Sequence, residues 1–314
     1  MFLMKQSFKN SPIAVFGFNR PASLYQVFLS LSNNKESTSS ILYFFLDGPK
    51  SKKDVVAQNE ILKHLSLFNK NFKKINIIQS NENKGLKKSI IEGLNYVFEN
   101  HETCIVIEDD IVVSENFLEF MNLSLNRYNS FDIAAISGYQ YPIKLNDNYI
   151  YKSTMFSCWG WATWKPKWRK LNLNSSYLLK KLFLSNPIKF AVSFHFTYIE
   201  QLLLNRHKVI DTWFIYWYAT NYINKNECIY PPKTLVENIG FNESGTNADK
   251  DYEDLFYSSY ADFSKINFAN HIQTIPLKLF KRFFIKLNGG YFIGFIKIIN
   301  RWYELVKKIF RKIS

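Results

Sequence analysis

The first half of the chain alternates short apolar runs with stretches in which apolar residues recur at helical spacing. The runs predict strands at residues 13–18, 41–46, 75–79, 104–108 and 133–137. Helical spacing is found at Leu24, Val27, Phe28 and Leu31, and again at Leu86, Ile90, Leu94, Val97 and Phe98. Strands that alternate with helices predict an α/β fold with a mostly parallel sheet and helices on both faces.

Polar residues mark the ends of these elements. Pro21 suits the first turn of the first helix, with Asn19 as a candidate cap. Ser114 is a candidate cap for a helix that begins near Glu115. Because ligands of parallel sheets bind outside the carboxyl ends of the strands, residues directly after each strand are the first candidates for a site.

The region from residue 138 to 270 loses this regularity. It is rich in Trp, Tyr, Asn and Pro, and predicts irregular structure with two or three helices. A break near residues 270–276 precedes the last segment. The expected organisation is a main domain of residues 1–270, whose two halves meet near residue 137, and a tail of residues 271–314.

Charge is distributed unevenly along the chain. Hydrophobic residues make up 47% of its 314 residues, which allows a large core and excludes wholesale disorder. The formal net charge is +14. From residue 274 onward there are ten Lys and Arg residues and one acidic residue, so much of this charge lies in the tail. Nucleic-acid binding calls for a basic stripe across the body, so confinement of the charge to the tail argues against that class.

The spacing of the cysteines and the lack of long apolar runs indicate the cellular compartment. Cys104, Cys158 and Cys228 form no CxxC pair, which argues against a structural zinc site and a disulfide framework. The first 16 residues lack the apolar run of a signal peptide, and no stretch of 18 apolar residues predicts a spanning helix. We therefore expect a protein of the reducing cytosol.

The strongest chemical signal is the acidic triplet Glu108-Asp109-Asp110, which directly follows an apolar strand. Three adjacent anions repel each other, so a triplet at a strand end needs a compensating cation. Mn²⁺ or Mg²⁺ bridging carboxylate and diphosphate oxygens would supply that charge. The alternative is a solvated acidic turn, which the apolar strand before the triplet disfavours.

Three other strand ends carry polar groups. Asn19 and Arg20 follow the first strand, and Arg suits a phosphate. Asp47 follows the second strand in an Asp-Gly-Pro sequence, where it could accept from a ribose or base, or simply form a turn. Lys84 and Gly85 open the helix after the third strand, where a helix N-terminus can hold phosphate. Together, these groups predict one site.

Aromatic residues are dense between residues 157 and 168, where four Trp fall within ten positions. They could form a platform for sugar rings, with Gly160 allowing close backbone approach. The alternatives are an aromatic core and, beside Lys, the stacking of single-stranded bases.

Asp211 is a lone acid among aromatic residues. Burial would raise its pKa and suit a general base, whereas the alternative is a helix N-cap.

These motifs together resemble glycosyltransferases of the GT-A fold, specifically bacterial proteins distantly similar to N-acetylglucosaminyltransferase I. The matching motifs keep the family's order across about residues 12–247. They are Asn19-Arg20-Pro21, Asp47-Gly48-Pro49, Asn83-Lys84-Gly85, Glu108-Asp109-Asp110, the segment from Trp159 to Trp164, and Asn238-Ile239-Gly240-Phe241. The resemblance implies a Rossmann-like, mostly parallel sheet with a donor-binding half up to residue 137 and an acceptor-side half from residue 138.

The resemblance also implies a role for each residue. Asp110 would bind the metal, while Glu108 and Asp109 would contact the ribose and sugar of a nucleotide-sugar donor, with UDP as the expected nucleotide. The nucleotide pocket would be formed by Asn19, Arg20, Asp47, Lys84 and Gly85. The acceptor site would be formed by Trp159, Gly160 and Trp161. Asp211 would be the catalytic base of an inverting enzyme, with Glu200 or Glu243 as substitutes, because its Asp-Thr-Trp context departs from the family's paired acids.

The tail predicts a basic amphipathic helix. Apolar residues recur at positions 291, 295, 298, 302, 305 and 309, with Lys and Arg on the opposite face. Phe280, Phe283, Phe284 and Trp302 would add interfacial anchors, so residues 280–313 are expected to bind an anionic membrane from the cytoplasmic side. The alternative is a helix whose apolar face packs on the body or on a second subunit, which leaves a homo-oligomer open.

Three functional hypotheses compete with this interpretation. One is a catalytically inactive binding module of the same fold for a sugar nucleotide or glycan. A second is a nucleic-acid protein, disfavoured by the charge distribution. The third is a nucleotidyltransferase, which usually has a Gly-rich loop after the first strand, where this chain offers only Gly17. We expect an enzyme that transfers a sugar to a glycan or lipid-linked acceptor in surface polysaccharide synthesis.

Overall fold

A computed structural model describes residues 10–130, 132–185, 196–240, 266, 268, 271–287, 303, 304 and 307. The strands are β1 Ile13–Gly17, β2 Ile41–Leu46, β3 Lys74–Gln79, β4 Thr103–Glu108, β5 Ile111–Val113, β6 Ile133–Ser137, β7 Tyr151–Ser153, β8 Trp161–Trp164, β9 Glu227–Tyr230, β10 Val236–Asn238 and β11 Gln273–Thr274. The α-helices are α1 Pro21–Ser32, α2 Lys52–Ser66, α3 Leu86–Asn100, α4 Phe117–Arg127, α5 Lys165–Trp168, α6 Ser175–Ser185, α7 Phe196–Arg206, α8 Phe214–Ile223 and α9 Leu277–Leu287.

Nine of these strands form one sheet, in the order β11-β7-β9-β6-β8-β4-β1-β2-β3. The pairs within β4-β1-β2-β3 are parallel, as are β6 with β9 and β7 with β11. Strand β8 runs antiparallel to both β4 and β6, and β7 runs antiparallel to β9. The sheet is therefore mixed but mostly parallel, which confirms the predicted fold class.

Helices cover both faces of the sheet. Phe44 and Phe45 are neighbours on β2, so their side chains point to opposite faces. The Phe44 ring packs edge-on against Phe28 of α1, at 5.3 Å between centroids. The Phe45 ring stacks on Phe16 and lies against Gly93 of α3. Helices α1 and α3 therefore lie on opposite sides of the sheet, as the alternating pattern predicts.

The second half is more regular than its sequence suggests. The irregularity expected for residues 138–270 is wrong in part, because β7, β8 and β9 extend the sheet of the first half. These strands are only three or four residues long. A period of two residues is barely visible over such a length, so the pattern did not reveal them.

Two helix starts differ from those expected. Helix α1 begins after Arg20 rather than Asn19, and no side chain caps it. Helix α4 begins at Phe117 after Asn116, so Ser114 is not its cap. Both helices still start within three residues of the predicted position, which is the usual uncertainty for a helix end.

The predicted tail begins against the body. Strand β11 pairs with β7, so the expected break near residues 270–276 contains a strand of the main sheet. In α9, Phe280 is fully buried and packs against Tyr141, as do the partly buried Phe283 and Phe284. The prediction that Phe280 is a membrane anchor is therefore wrong, and packing on the body is correct for α9.

Most of the predicted amphipathic helix at residues 291–313, including Trp302, lies outside the described residues. Among the helices that the structure describes, none combines the length and apolar character that crossing a membrane requires.

Candidate active site

The acidic triplet lies at the carboxyl end of β4, the strand at which the parallel block β4-β1-β2-β3 meets the antiparallel strand β8. Glu108 is the last residue of β4, and Asp109 and Asp110 form the turn into β5. Strand β10 pairs antiparallel with β5, and the Ile239 amide donates to the Asp110 carbonyl at 2.8 Å. The turn that carries the two aspartates is therefore held by backbone hydrogen bonds to the segment 236–239.

Arg20 is the cation at this turn. Its Nη1 lies 3.3 Å from Asp109 Oδ1 and 3.4 Å from Asp110 Oδ2. Burial is the main cause that raises the pKa of Glu108 to about 8 and that of Asp109 to about 6, and it also raises the pKa of Asp110. Repulsion by the neighbouring acids adds to this for Glu108 and Asp109, and Arg20 opposes it. One guanidinium thus compensates three carboxylates only in part.

The triplet offers the carboxylate oxygens that divalent cations prefer as ligands. Glu108 Oε1 is buried without a hydrogen-bond partner, although the Trp213 side chain donates to the same carboxylate. Partly buried carboxylate oxygens are hard ligands that suit Mn²⁺ or Mg²⁺. No group of three or more His, Cys, Asp or Glu side chains within the described ranges is arranged to hold a metal. A metal here would therefore need ligands from water or from the donor's phosphates.

Asp47 organises the loop before α3. Its Oδ1 accepts from the amides of Gly48 and Lys84 at 2.9 and 2.8 Å, and its Oδ2 accepts from the Gly85 amide at 2.9 Å and from Asn83 Nδ2 at 3.0 Å. The side chain is buried. Both carboxylate oxygens are thus occupied by the protein, so Asp47 shapes the pocket wall rather than presenting free oxygens to a ligand.

The other predicted pocket residues also make contacts within the protein. Lys84 Nζ lies 2.8 Å from Glu92 Oε2, a contact that raises the pKa of the lysine. Asn19 donates to Asp54 at 2.7 Å and is the main cause that lowers the pKa of that carboxyl. Gly85 precedes α3 with φ +75°, and a Cβ built on it would meet nothing within 4 Å. The start of α3 is therefore open next to Gly85.

Asp211 is not in the environment expected for it. Its side chain is 69% exposed and its Oδ1 lies 2.9 Å from Lys87 Nζ in the first turn of α3. The expected burial is therefore wrong. Nor is Asp211 an N-cap, because α8 begins at Phe214 after Trp213 and no side chain caps it. Lys87 also lies over the Tyr216 ring, at 4.5 Å from its centroid, so the ion pair joins α3 to α8.

The tryptophan segment is mainly core. Trp161 is only 1% exposed and packs against Trp213 at 5.5 Å and Trp217 at 5.6 Å between centroids. Gly160 has φ +56°, and a Cβ there would collide with Val236. The predicted sugar platform is therefore wrong for Trp161, and the aromatic-core alternative is correct. Trp159 is partly buried and packs on Tyr139, at 4.6 Å between ring centroids.

An open cavity of about 720 Å³ lies past the ends of β6 and β9. Its lining comes from residues 140–148 and from Pro232 and Lys233. Strands β4 and β6 are each antiparallel to β8, and β6 is parallel to β9, so all three point the same way. The cavity therefore opens at the same edge of the sheet as the acidic triplet.

Three residues of this edge were missed by the sequence analysis as members of the site. Trp213 donates to Glu108, Lys87 binds Asp211, and Gly240 lies against the Asp110 carboxylate. Gly240 belongs to the Asn-Ile-Gly-Phe motif and Trp213 follows Asp211 by two positions, so proximity in sequence to recognised motifs was the available signal. Lys87 carried no such signal beyond its place in the first turn of a helix.

No protein-family model matches the chain. No curated protein matches it either.

Among solved structures the chain is similar to a mannosyltransferase from Pyrobaculum calidifontis in complex with GDP-Man and Mn²⁺. The identity is 7% and the TM-score is 0.37, over 55% of this chain and 46% of that chain. It is also similar to glucosyl-3-phosphoglycerate synthase from Mycobacterium tuberculosis in complex with Mn²⁺, UDP and phosphoglyceric acid, at 9% identity and a TM-score of 0.34 over 53% of this chain and 58% of that chain. A third is an active-site mutant of LgtC, at 10% identity and a TM-score of 0.37 over 67% and 69% of the two chains. The matched region spans about half the length of the first two proteins, so the function of this chain is inferred from its own residues.

Proposed function

We propose that the protein is a metal-dependent glycosyltransferase of the GT-A fold that transfers a sugar from a nucleotide donor, with UDP as the expected nucleotide. The observation that carries this proposal is the partly buried acidic triplet at the carboxyl end of β4, compensated only in part by Arg20. Ligands of parallel sheets bind at this edge. A nucleoside diphosphate with its divalent cation supplies the positive charge and the oxygen ligands that the triplet lacks.

In this proposal Asp110 binds the metal, while Glu108 and Asp109 contact the ribose and the donor sugar. A metal held by Asp110 would neutralise charge on the diphosphate as the sugar–phosphate bond breaks. Arg20 pairs with a phosphate, for which its planar guanidinium is suited. Asp47 holds the loop that presents Gly85 and the free amides at the start of α3, where phosphate oxygens are favoured.

The acceptor is proposed to enter from the cavity past β6 and β9, with Trp159 at its approach. Asp211 remains the proposed base that takes the proton from an acceptor hydroxyl. Its exposure lets an acceptor reach it, and Trp213, two positions on, touches Glu108. A base on the face opposite the leaving group inverts the anomeric centre. Glu200 and Glu243 remain substitutes, and Glu243 lies outside the described residues.

The basic end of the chain supports a proposal for the acceptor class. Helix α9 packs its apolar face on the body and exposes Lys278, Lys281, Arg282 and Lys286. A cationic face of this kind is attracted to anionic lipid headgroups. We propose that the enzyme works at the cytoplasmic face of a membrane on a glycan or lipid-linked acceptor of surface polysaccharide synthesis. A homo-oligomer remains compatible with this arrangement.

The decisive experiment measures UDP release from a panel of UDP-sugars with Mn²⁺, Mg²⁺ or EDTA, for the wild type, Asp110→Ala and Glu102→Gln. Glu102 is 75% exposed and pairs with Lys165, so Glu102→Gln controls for loss of an acid elsewhere. We expect metal-dependent release from one donor, lost only in Asp110→Ala. Binding without turnover that neither EDTA nor Asp110→Ala changes would favour the inactive binding module.

A further inference from the structure

Arg20 lies between the carboxylates of Asp109 and Asp110, beside the proposed metal ligand Asp110. A single nitrogen, Nη1, lies at nearly equal distances from one oxygen of Asp109 and one oxygen of Asp110. The arginine is the residue that precedes α1, at the end of β1. Its side chain is 21% exposed, and those of the two aspartates are 19% and 21% exposed, so this bridge can be reached from solvent.

A metal and the guanidinium cannot share this position. Mg²⁺ binds carboxylate oxygens at roughly 2.1 Å, and a second cation beside it would be repelled strongly in a partly buried site. Binding of a metal at Asp110 on the side that faces Arg20 therefore has to move the guanidinium away. The contacts of Nη1 are longer than the roughly 2.7–2.9 Å of strong charge-assisted hydrogen bonds, so each of these two contacts is a weak one.

We propose that Arg20 is an exchangeable counter-ion: it holds Asp109 and Asp110 together before the donor binds, and the metal displaces it onto the donor's diphosphate. This inference rests on the proposed function, since it takes the nucleoside diphosphate as the ligand. It goes further by assigning to one residue two successive partners, first the carboxylates and then a phosphate.

The exchange makes metal and nucleotide binding cooperative. A metal that arrives alone must break the Arg20 bridge and leave the guanidinium without these carboxylates. When the metal binds together with the diphosphate, the displaced guanidinium pairs with a phosphate instead. Coupling of this kind is reciprocal, so the nucleotide must raise metal affinity by the same factor as the metal raises nucleotide affinity.

The test is nucleotide-free Mn²⁺ binding, measured by electron paramagnetic resonance of free Mn²⁺, for the wild type, Arg20→Gln and Lys87→Gln. Lys87→Gln removes one positive charge from the rim without touching Asp109 or Asp110 in the described structure. We expect Arg20→Gln to bind Mn²⁺ roughly tenfold more tightly than the wild type, and to gain less from added UDP. A structural defect would not produce tighter metal binding.

Two results would overturn the proposal. One is Mn²⁺ affinity in Arg20→Gln that equals or falls below the wild-type value. The other is an equal gain in Lys87→Gln, which would assign the effect to general charge. If the wild type and both variants fail to bind Mn²⁺ with or without UDP, the metal site itself is refuted, and the proposed function fails with it. Thermal melts of each variant confirm that the compared proteins are folded.

Discussion

Gly240 lies against the Asp110 carboxylate, so closely that a Cβ added to the glycine would overlap Oδ2. The Gly240 amide also donates to Asn238 Oδ1 at 2.8 Å, which fixes the backbone in this position. Gly240→Ala must therefore push the carboxylate out of place. Because the proposed metal ligand moves, we expect nucleotide-free Mn²⁺ binding to weaken by roughly tenfold or more, measured by titration calorimetry.

Gly85→Ala is the matched control for this substitution. A Cβ at Gly85 meets no atom within 4 Å, although its φ of +75° makes the alanine strained by roughly 1 kcal/mol. It should lower stability slightly and leave the Asp110 carboxylate in place. Equal Mn²⁺ affinity in Gly240→Ala and the wild type would show that Asp110 does not bind the metal.

Asp47→Ala should destabilise the protein. Its buried carboxylate accepts hydrogen bonds from three backbone amides and from Asn83. Their loss leaves several donors without a partner, and we expect a decrease of about 3 kcal/mol in the free energy of unfolding, measured by urea denaturation. Asp147→Ala removes a partly exposed acid paired with Lys233 and should cost less than about 1 kcal/mol. Similar losses in both variants would contradict the loop-organising role of Asp47.

Asp211→Asn tests the proposed base. The Asp211–Lys87 ion pair is exposed on the aspartate side, so stability should change by less than about 1 kcal/mol. Loss of a general base lowers the rate by roughly 100-fold or more, and we expect that decrease in kcat with the donor and acceptor bound normally. Retention of the wild-type kcat would transfer the role to Glu200 or Glu243, which Glu200→Gln and Glu243→Gln then distinguish.

Phe280→Ala tests the docking of α9. Phe280 is fully buried against Tyr141, whereas Leu277 of the same helix is 39% exposed. Truncation of a buried phenylalanine costs about 3–5 kcal/mol, and we expect a loss near that range in chemical denaturation. Leu277→Ala is the control and should cost less than about 1 kcal/mol. Equal, small losses would mean that α9 is not packed on the body in solution.

The exposed side of α9 predicts salt-sensitive membrane binding. The double variant Lys281→Gln and Arg282→Gln removes two exposed cations without touching the buried face. Each cation contributes roughly 1 kcal/mol at an anionic surface, so sedimentation with anionic vesicles should fall by roughly tenfold or more, with neutral vesicles as the control. Binding that is insensitive to both salt and this variant would exclude an electrostatic surface on α9.

The first half of the fold was predictable because β1, β2, β3, β4 and β6 are five or six residues long and rich in apolar residues. Strand β2 matches the expected range, and β1, β3 and β4 differ from it by one residue at one end. The parallel order then places Arg20 beside Asp109 and Asp110, residues that are separated by almost ninety positions in the chain. Residues that follow parallel strands meet at one edge, and this rule needs no knowledge of side-chain packing.

The rest of the site was not predictable because it depends on contacts between distant, irregular segments. Whether Trp161 faces solvent or the core depends on Trp213 and Trp217, about fifty positions away. Whether Lys84 points to a ligand or to Glu92 depends on a rotamer, not on a spacing. Local sequence patterns reflect residues that are close along the chain. The burial of Trp161 and the orientation of Lys84 depend instead on residues that are close only in the folded structure.

Strand β8 limits the ways in which the molecule can change its conformation. It pairs with β4 on one side and with β6 on the other, so the two halves of the site are joined by backbone hydrogen bonds across one continuous sheet. Closure by a hinge between two separate bodies would break that ladder. Adjustment to donor and acceptor must therefore come from the loops at the sheet's edge, and a change of substrate preference is to be sought in those loops rather than in the framework.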